Sequence, residues 1–187
     1  MPSKIAFAAA ALTAVSIIAA TPASGAVLVL GQGLAKTCSD ATIAGRDDLK
    51  AIETCSLAIQ TQAMGHRDRA GTFVNRGILK LRRSSYDAAR ADFADALRLS
   101  PDLGEAYVNW GASLIAERRY AEGLSEIDRG MALGVEEPEK AWFNRAIAYE
   151  ALGDARQAYL AYQQAVALAP EWAPPKLELA RFTVTSK

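Results

Sequence analysis

Between residues 70 and 172 apolar side chains return every three or four positions, in stretches that stop and restart. Phe73, Gly77 and Leu81 form one stripe, and Ala89, Phe93 and Ala96 form the next. That period is helical, because residues three and four apart share a face, whereas a half-buried strand alternates every second residue. The stripes break at Ser84-Ser85, Ser100-Pro101, Glu137-Pro138 and Gly153-Asp154, residue types that end or restart helices. Asp102 followed by Glu105 predicts a capping box for the helix containing Trp110. The expectation is a chain of helix hairpins without a sheet.

The hairpins also repeat. Phe73, Tyr107 and Trp142 stand 34 and 35 residues apart, and Asn75, Asn109 and Asn144 keep the same steps. So do Gly77, Gly111 and Ala146, then Ala89, Gly123 and Ala158, then Phe93, Ile127 and Tyr162, and lastly Ala96, Gly130 and Ala165. Pro101 and Pro170 close the outer units where the middle one has Val135, and the extra residue falls within Gly134–Glu139. A glycine inside a helix costs about 1 kcal/mol against alanine. Gly77, Gly111, Gly123 and Gly130 therefore predict close helix contacts, at the short end of the ~8–10 Å range of packed axes.

In these positions the chain resembles the tetratricopeptide repeat family, whose unit is a 34-residue helix–turn–helix. The last unit matches through Trp142, Ala146, Tyr149, Ala158, Tyr162, Ala165 and Pro170, and the first full unit through Phe73, Gly77, Ala89, Phe93, Ala96 and Pro101. The middle unit has Gly123, Gly130 and Val135 where alanine, alanine and proline are usual, so its helices are expected to pair more loosely. The resemblance implies an all-α fold, a right-handed superhelical stack of helix–turn–helix repeats at 70–103, 104–137 and 139–172. Residues 34–66, containing DDLKAIETCSLAIQ, read as a degenerate first repeat, and 174–183 as a C-terminal capping helix opened by Pro174-Pro175. Atypical end units suit a stack whose terminal apolar faces need cover.

The same resemblance implies a concave groove lined by the first helix of each unit. Carried over position by position, its lining is Val74, Asn75, Ile78, Val108, Asn109, Ala112, Lys140, Phe143, Asn144 and Ile147. The expected surface is an apolar strip with one asparagine per unit. An asparagine amide both donates and accepts, so it can hold the backbone of an extended peptide, or else bridge neighbouring repeats. Lys140 and Asn109 fit the clamp that some family members build for a terminal carboxylate, but Val74, Ile78 and Asn144 stand where its other polar groups belong. An apolar or mixed segment is the expected ligand.

Upstream of the repeats, Lys4 precedes the uncharged apolar run Ile5–Ala20, and small residues follow Thr21-Pro22. Basic end, apolar middle and small-residue site are the order of a secretory signal peptide. Residues 1–26 are expected to be that signal, cleaved after Ala26 or, as second choice, after Ala23, placing the protein in the periplasm or outside the cell. Sixteen apolar residues fall short of the roughly 20 a spanning helix needs, so no integral membrane span is expected after cleavage. Cys38 and Cys55 remain, and antiparallel helices would bring them to one layer. An even pair in an exported protein permits a disulfide, the alternative being two buried thiols.

Charge and chemistry narrow the function further. Lys plus Arg and Asp plus Glu both number 21, so no net field draws the chain to nucleic acid. His66, the single histidine, falls in an expected loop beside Gly65, without partners at metal or triad spacing. VLVLGQGLAK imitates a dinucleotide loop but lacks its third glycine and a sheet, and reads as the remnant of the export junction. Glu136, Glu137 and Glu139 suit a solvated turn, while Arg82-Arg83 and Arg118-Arg119 suit helix C-termini, where the dipole favours cations. Neither a cofactor, a metal nor an enzymatic activity is expected. The partner is another protein or peptide segment, and the chain is expected to be a monomer or weak oligomer. The alternative is a self-associating scaffold of the cell envelope.

Overall fold

The computed structural model describes residues 5–8, 22–29 and 32–186. Of the expected signal peptide, residues 1–4 and 9–21 lie outside the described residues. From Leu34 to Leu179 the chain is helical hairpins: α1 (Leu34–Ile43) with α2 (Leu49–Thr61), α3 (His66–Arg82) with α4 (Tyr86–Leu99), α5 (Gly104–Ala116) with α6 (Tyr120–Leu133), and α7 (Pro138–Ala151) with α8 (Ala155–Leu168). The short α9 (Ala173–Leu179) packs on α8. Each hairpin packs on the next, and α3 and α5 also touch the first helices of the pairs beyond, as a stack requires.

One feature departs from the helical expectation. β1 (Ile5–Ala8) pairs antiparallel with β2 (Thr183–Ser186), Ile5 opposite Ser186 and Ala8 opposite Thr183. This ribbon is the only sheet among the described residues. No helix among them is long and apolar enough to cross a membrane.

The turns within the three hairpins share one device. Ser84, Arg118 and Gly153, spaced like the repeats, hold φ of 58°, 63° and 84°. In each, the amide three residues beyond the helix end bonds back into the last turn, as from Ser85 to the Lys80 carbonyl, Arg119 to Leu114 and Asp154 to Tyr149. These are Schellman ends, which need a left-handed residue. Serine and arginine pay there a steric cost that glycine avoids.

Aligned positions form the core. Phe93, Ile127 and Tyr162 are fully buried, and so are Ala89, Ala96, Ala146, Ala158 and Ala165. The middle hairpin corrects the expectation of loose pairing. A Cβ at Gly111 would lie 2.6 Å from the Gly123 carbonyl oxygen, and one at Gly130 would lie 2.6 Å from the Gly104 carbonyl oxygen. The helices meet backbone to backbone at two crossings. Glycine there permits an approach that alanine would block.

The capping box is also absent. Leu103, not Asp102, precedes α5, with no side-chain cap, and Glu105 Oε1 instead accepts from the Glu136 amide at 3.0 Å. His66 is not in a loop but is the exposed first residue of α3. A disulfide joins Cys38 of α1 to Cys55 of α2, both fully buried. Arg82 donates to the Thr42 and Arg46 carbonyls (2.9 and 3.0 Å), fastening the first hairpin to α3. Burial pushes its guanidinium pKa down.

Candidate functional site

In a helix successive residues turn by about 100°, so a residue facing the stack's inner surface recurs only after three or four positions. Asn75, Asn109 and Asn144 occupy that facing position in α3, α5 and α7, and all three are fully buried. What buries them is the chain's own segment Pro22–Val29, which carries no charge and runs past α7, α5, α3 and α1 in that order.

The contacts are main-chain contacts. Ala23 donates its amide to Asn144 Oδ1 at 2.8 Å, and Asn144 Nδ2 donates to the Ala23 carbonyl at 2.7 Å. Asn75 makes the same pair with Val27, at 3.0 and 2.7 Å. Between them Asn109 Nδ2 donates to the Gly25 carbonyl at 2.9 Å and to the Glu105 carbonyl of its own helix at 2.8 Å. At the degenerate hairpin, Ser39 Oγ donates to the Val27 carbonyl (3.0 Å) and accepts from the Val29 amide (3.3 Å). Residues 23, 25, 27 and 29 thus meet successive hairpins, two residues per unit, with Val27 bonded by both α3 and α1. Two extended residues advance about 6.6 Å, less than the ~8–10 Å between packed helix axes. That contraction fits the inner side of a curved stack.

The second residue of each full repeat decides how near the segment comes. Gly71 of α3 stands where the other units have Glu105 and Lys140, and a Cβ on it would meet Val27 Cγ1 at 2.7 Å. Lys140 pairs with Glu137, whose Oε2 accepts from the Ala26 amide at 3.2 Å. Side chains of the odd residues go inward: Ala23 against the cluster of Phe143, Tyr162 and Trp172, Val27 against Val74, Ile78 and Phe93, and Val29 against Ala35 and Ala58. Of the even residues, Leu28 is 52% exposed, while Ser24 and Ala26 are half-buried. Ser24 borders an open cleft of about 410 Å³ lined also by Arg82, Tyr86 and Ala116.

Of the ten residues expected to line the groove, Val74, Ile78 and Phe143 lie in the clusters on which Val27 and Ala23 pack, and the three asparagines bond the segment directly. Val108 does neither, since its Cγ2 lies 2.8 Å from the point a Gly130 Cβ would occupy, against α6. Phe143 also faces α8 and Trp172, just ahead of α9, with ring centroids 5.7 Å from Tyr162 and 5.0 Å from Trp172. Val74, Ile78 and Ala112 are fully buried in the cluster shared by α3, α4 and α5. Ile147 is half-buried between two clusters, and Lys140 is occupied by Glu137. The apolar strip is therefore core, because the position beside each asparagine is rotated towards the second helix of the hairpin. Sequence reasoning missed Ser39, Gly71, Glu137 and the segment itself. Its VLV is not a remnant of the export junction, since Val27 and Val29 pack into the groove.

Among the described residues no three His, Cys, Asp or Glu side chains gather as metal ligands. Comparison with known proteins fits the helical architecture. The tetratricopeptide repeat model matches residues 139–172. No curated protein matches the chain. Among solved structures, the Arabidopsis OM64 TPR domain superposes with a TM-score of 0.57 at 18% identity, covering 63% of this chain and 96% of that one. A structure of MamA gives 0.59 at 15% identity over 80% and 82%. The first TPR of Spaghetti (RPAP3) bound to the HSP90 peptide SRMEEVD gives 0.56 at 19% identity over 65% and 94%. At these identities the likeness is one of fold. Residues 139–172 thus match a tetratricopeptide repeat, and the chain as a whole shares the fold of tetratricopeptide-repeat domains.

Proposed function

We propose that this chain is an exported protein-interaction module whose inner surface holds a segment of another protein in extended form. The observation that carries this is the line of amides at Asn75, Asn109 and Asn144, each bonded to the main chain of an extended peptide. Main-chain recognition suits a binder, because one amide meets both the N–H and the C=O of a residue. The peptide-bound Spaghetti (RPAP3) domain, similar in fold, supports a peptide ligand as the class. Export rests on the leader-like order of residues 1–26. The disulfide between Cys38 and Cys55 is consistent with an oxidising compartment.

The test is photo-cross-linking in the exporting cell from a reactive residue at position 116, beside the groove. Wild type should give adducts to a discrete protein, and Asn109→Ala with Asn144→Ala should lose them while keeping its helical circular dichroism. An unchanged adduct pattern would sink the groove reading. Intact mass of the recovered protein tests export in the same sample, since removal of residues 1–26 leaves a chain starting at Val27.

A further inference from the structure

Resting on the groove reading, we propose that residues 22–29 are a tethered pseudo-ligand. The groove then accepts, from a partner, an uncharged extended segment of the same pattern: a small residue, glycine, then two aliphatic residues at alternate positions. The segment runs from the third full repeat towards the degenerate one.

The pattern comes from what each rung admits. At the Asn144 rung Ala23 packs on a crowded aromatic cluster. At the Asn109 rung Gly25 is buried and a Cβ on it would stand 3.2 Å from Glu137 Oε2, so a side chain as large as leucine crowds the carboxylate that holds Ala26. At the Asn75 rung the space left by Gly71 holds Val27. At the Ser39 rung Val29 is buried beside Ala35 and Ala58. Between the rungs, exposed Leu28 is free to vary and Ser24 has the open cleft beside it.

The tethered copy fits imperfectly. Asn109 Oδ1 is buried without a hydrogen-bond partner, whereas Asn75 and Asn144 both donate and accept. A ligand whose amide reached that oxygen would satisfy it, a gain of roughly two- to tenfold in affinity. Against this stands the tether, which holds its copy near the groove at an effective concentration in the millimolar range. Removal of residues 1–26 would take away the residues bonded to Asn144 and Asn109 and leave Val27 and Val29. The groove would then open over the second and third full repeats.

Two measurements on the full chain test the proposal. In wild type, the Ala23 and Val27 amides should exchange with deuterium at least tenfold slower than in Asn144→Ala and Asn75→Ala respectively. Unprotected exchange of both amides in wild type overturns the tether. For the pattern, a fluorescent peptide PASGAVLV with a C-terminal lysine tag is titrated into wild type and into Val27→Asp, which weakens the chain's own occupant. Val27→Asp should bind at least tenfold tighter than wild type, and a peptide with leucine for its glycine should bind at least tenfold weaker. Equal binding by both proteins, or by both peptides, overturns the proposal. If these fail while the position-116 adducts still depend on Asn109 and Asn144, the pseudo-ligand is wrong and the groove reading stands.

Discussion

Replacing Gly111 by alanine sets two effects against each other, and the structure decides which wins. On helix propensity alone the change should stabilise by about 1 kcal/mol. The aligned third repeat already carries Ala146 there. In α5, however, the new Cβ would stand 2.6 Å from the Gly123 carbonyl oxygen, 2.7 Å from Ile127 Cγ1 and 3.2 Å from the Ile127 amide nitrogen. Two of those three atoms are backbone, so relief requires the helices to separate instead of a side chain turning. Overpacking typically costs about 1–3 kcal/mol, and a backbone clash belongs in the upper part of that range. The expected net effect is a loss of about 1–2 kcal/mol. Since 1 kcal/mol moves the midpoint of a chain this size by about 2–4 °C, the melting temperature should fall by about 2–8 °C.

Urea denaturation followed by circular dichroism measures this as a lower midpoint at unchanged slope. Gly123→Ala should behave alike, its Cβ meeting the Gly111 oxygen at 2.8 Å. The double variant should cost less than the sum, because one separation relieves both clashes. A Gly111→Ala protein more stable than wild type would refute the close crossing and restore the looser pairing expected from sequence.

Three further outcomes follow from local geometry. Ser84→Gly and Arg118→Gly should each raise stability by about 0.5–1 kcal/mol in a thermal melt, because φ of 58° and 63° penalises both side chains and Gly153 already sits at the aligned turn. Opening the Cys38–Cys55 bridge, which spans 17 residues, should cost about 3 kcal/mol, read as a lower urea midpoint with reductant. Two reactive thiols in the untreated, denatured protein would refute the bridge. Asp48 bonds the Arg46 guanidinium and caps α2 through the Ala51 amide, which holds its carboxyl down at about 2, against about 3.9 in an unfolded chain. A lowered native pKa means stability that is present above about pH 4 and lost as pH falls through about 2. Asn at position 48 should therefore be less stable than wild type at neutral pH, with the difference closing across that window.

The architecture was legible because a repeat writes its structure several times over. Three asparagines in one phase had to share a column, whatever the details of each helix. What failed were inferences one residue to the side. Analogy of position puts Val108 in the groove, yet a turn of about 100° from Asn109 points it at the second helix, against Gly130. The middle hairpin failed for a different reason. Glycine in place of alanine signals either a gap or a closer approach, and only the reciprocal pairs Gly111 with Gly123 and Gly104 with Gly130 select the second.

The groove's occupant was hidden by the means of its recognition. Asn75, Asn109 and Asn144 bond the main chain, which every residue carries, so Pro22–Val29 needs no distinctive polar side chain to be held. Its small apolar residues also satisfy the pattern of a leader's cleavage region, and one composition served two readings. The trace that does remain in the sequence lies on the other partner. At the second position of the repeat unit, Glu105 and Lys140 are long and charged, while the first full repeat has Gly71. A glycine inside a helix facing a groove marks a place where something other than its neighbouring helix comes close, and here that something is Val27. Recognition through backbone amides fixes the path of a ligand, and sites such as Gly71 and the carboxylate of Glu137 then limit which sequences can follow it.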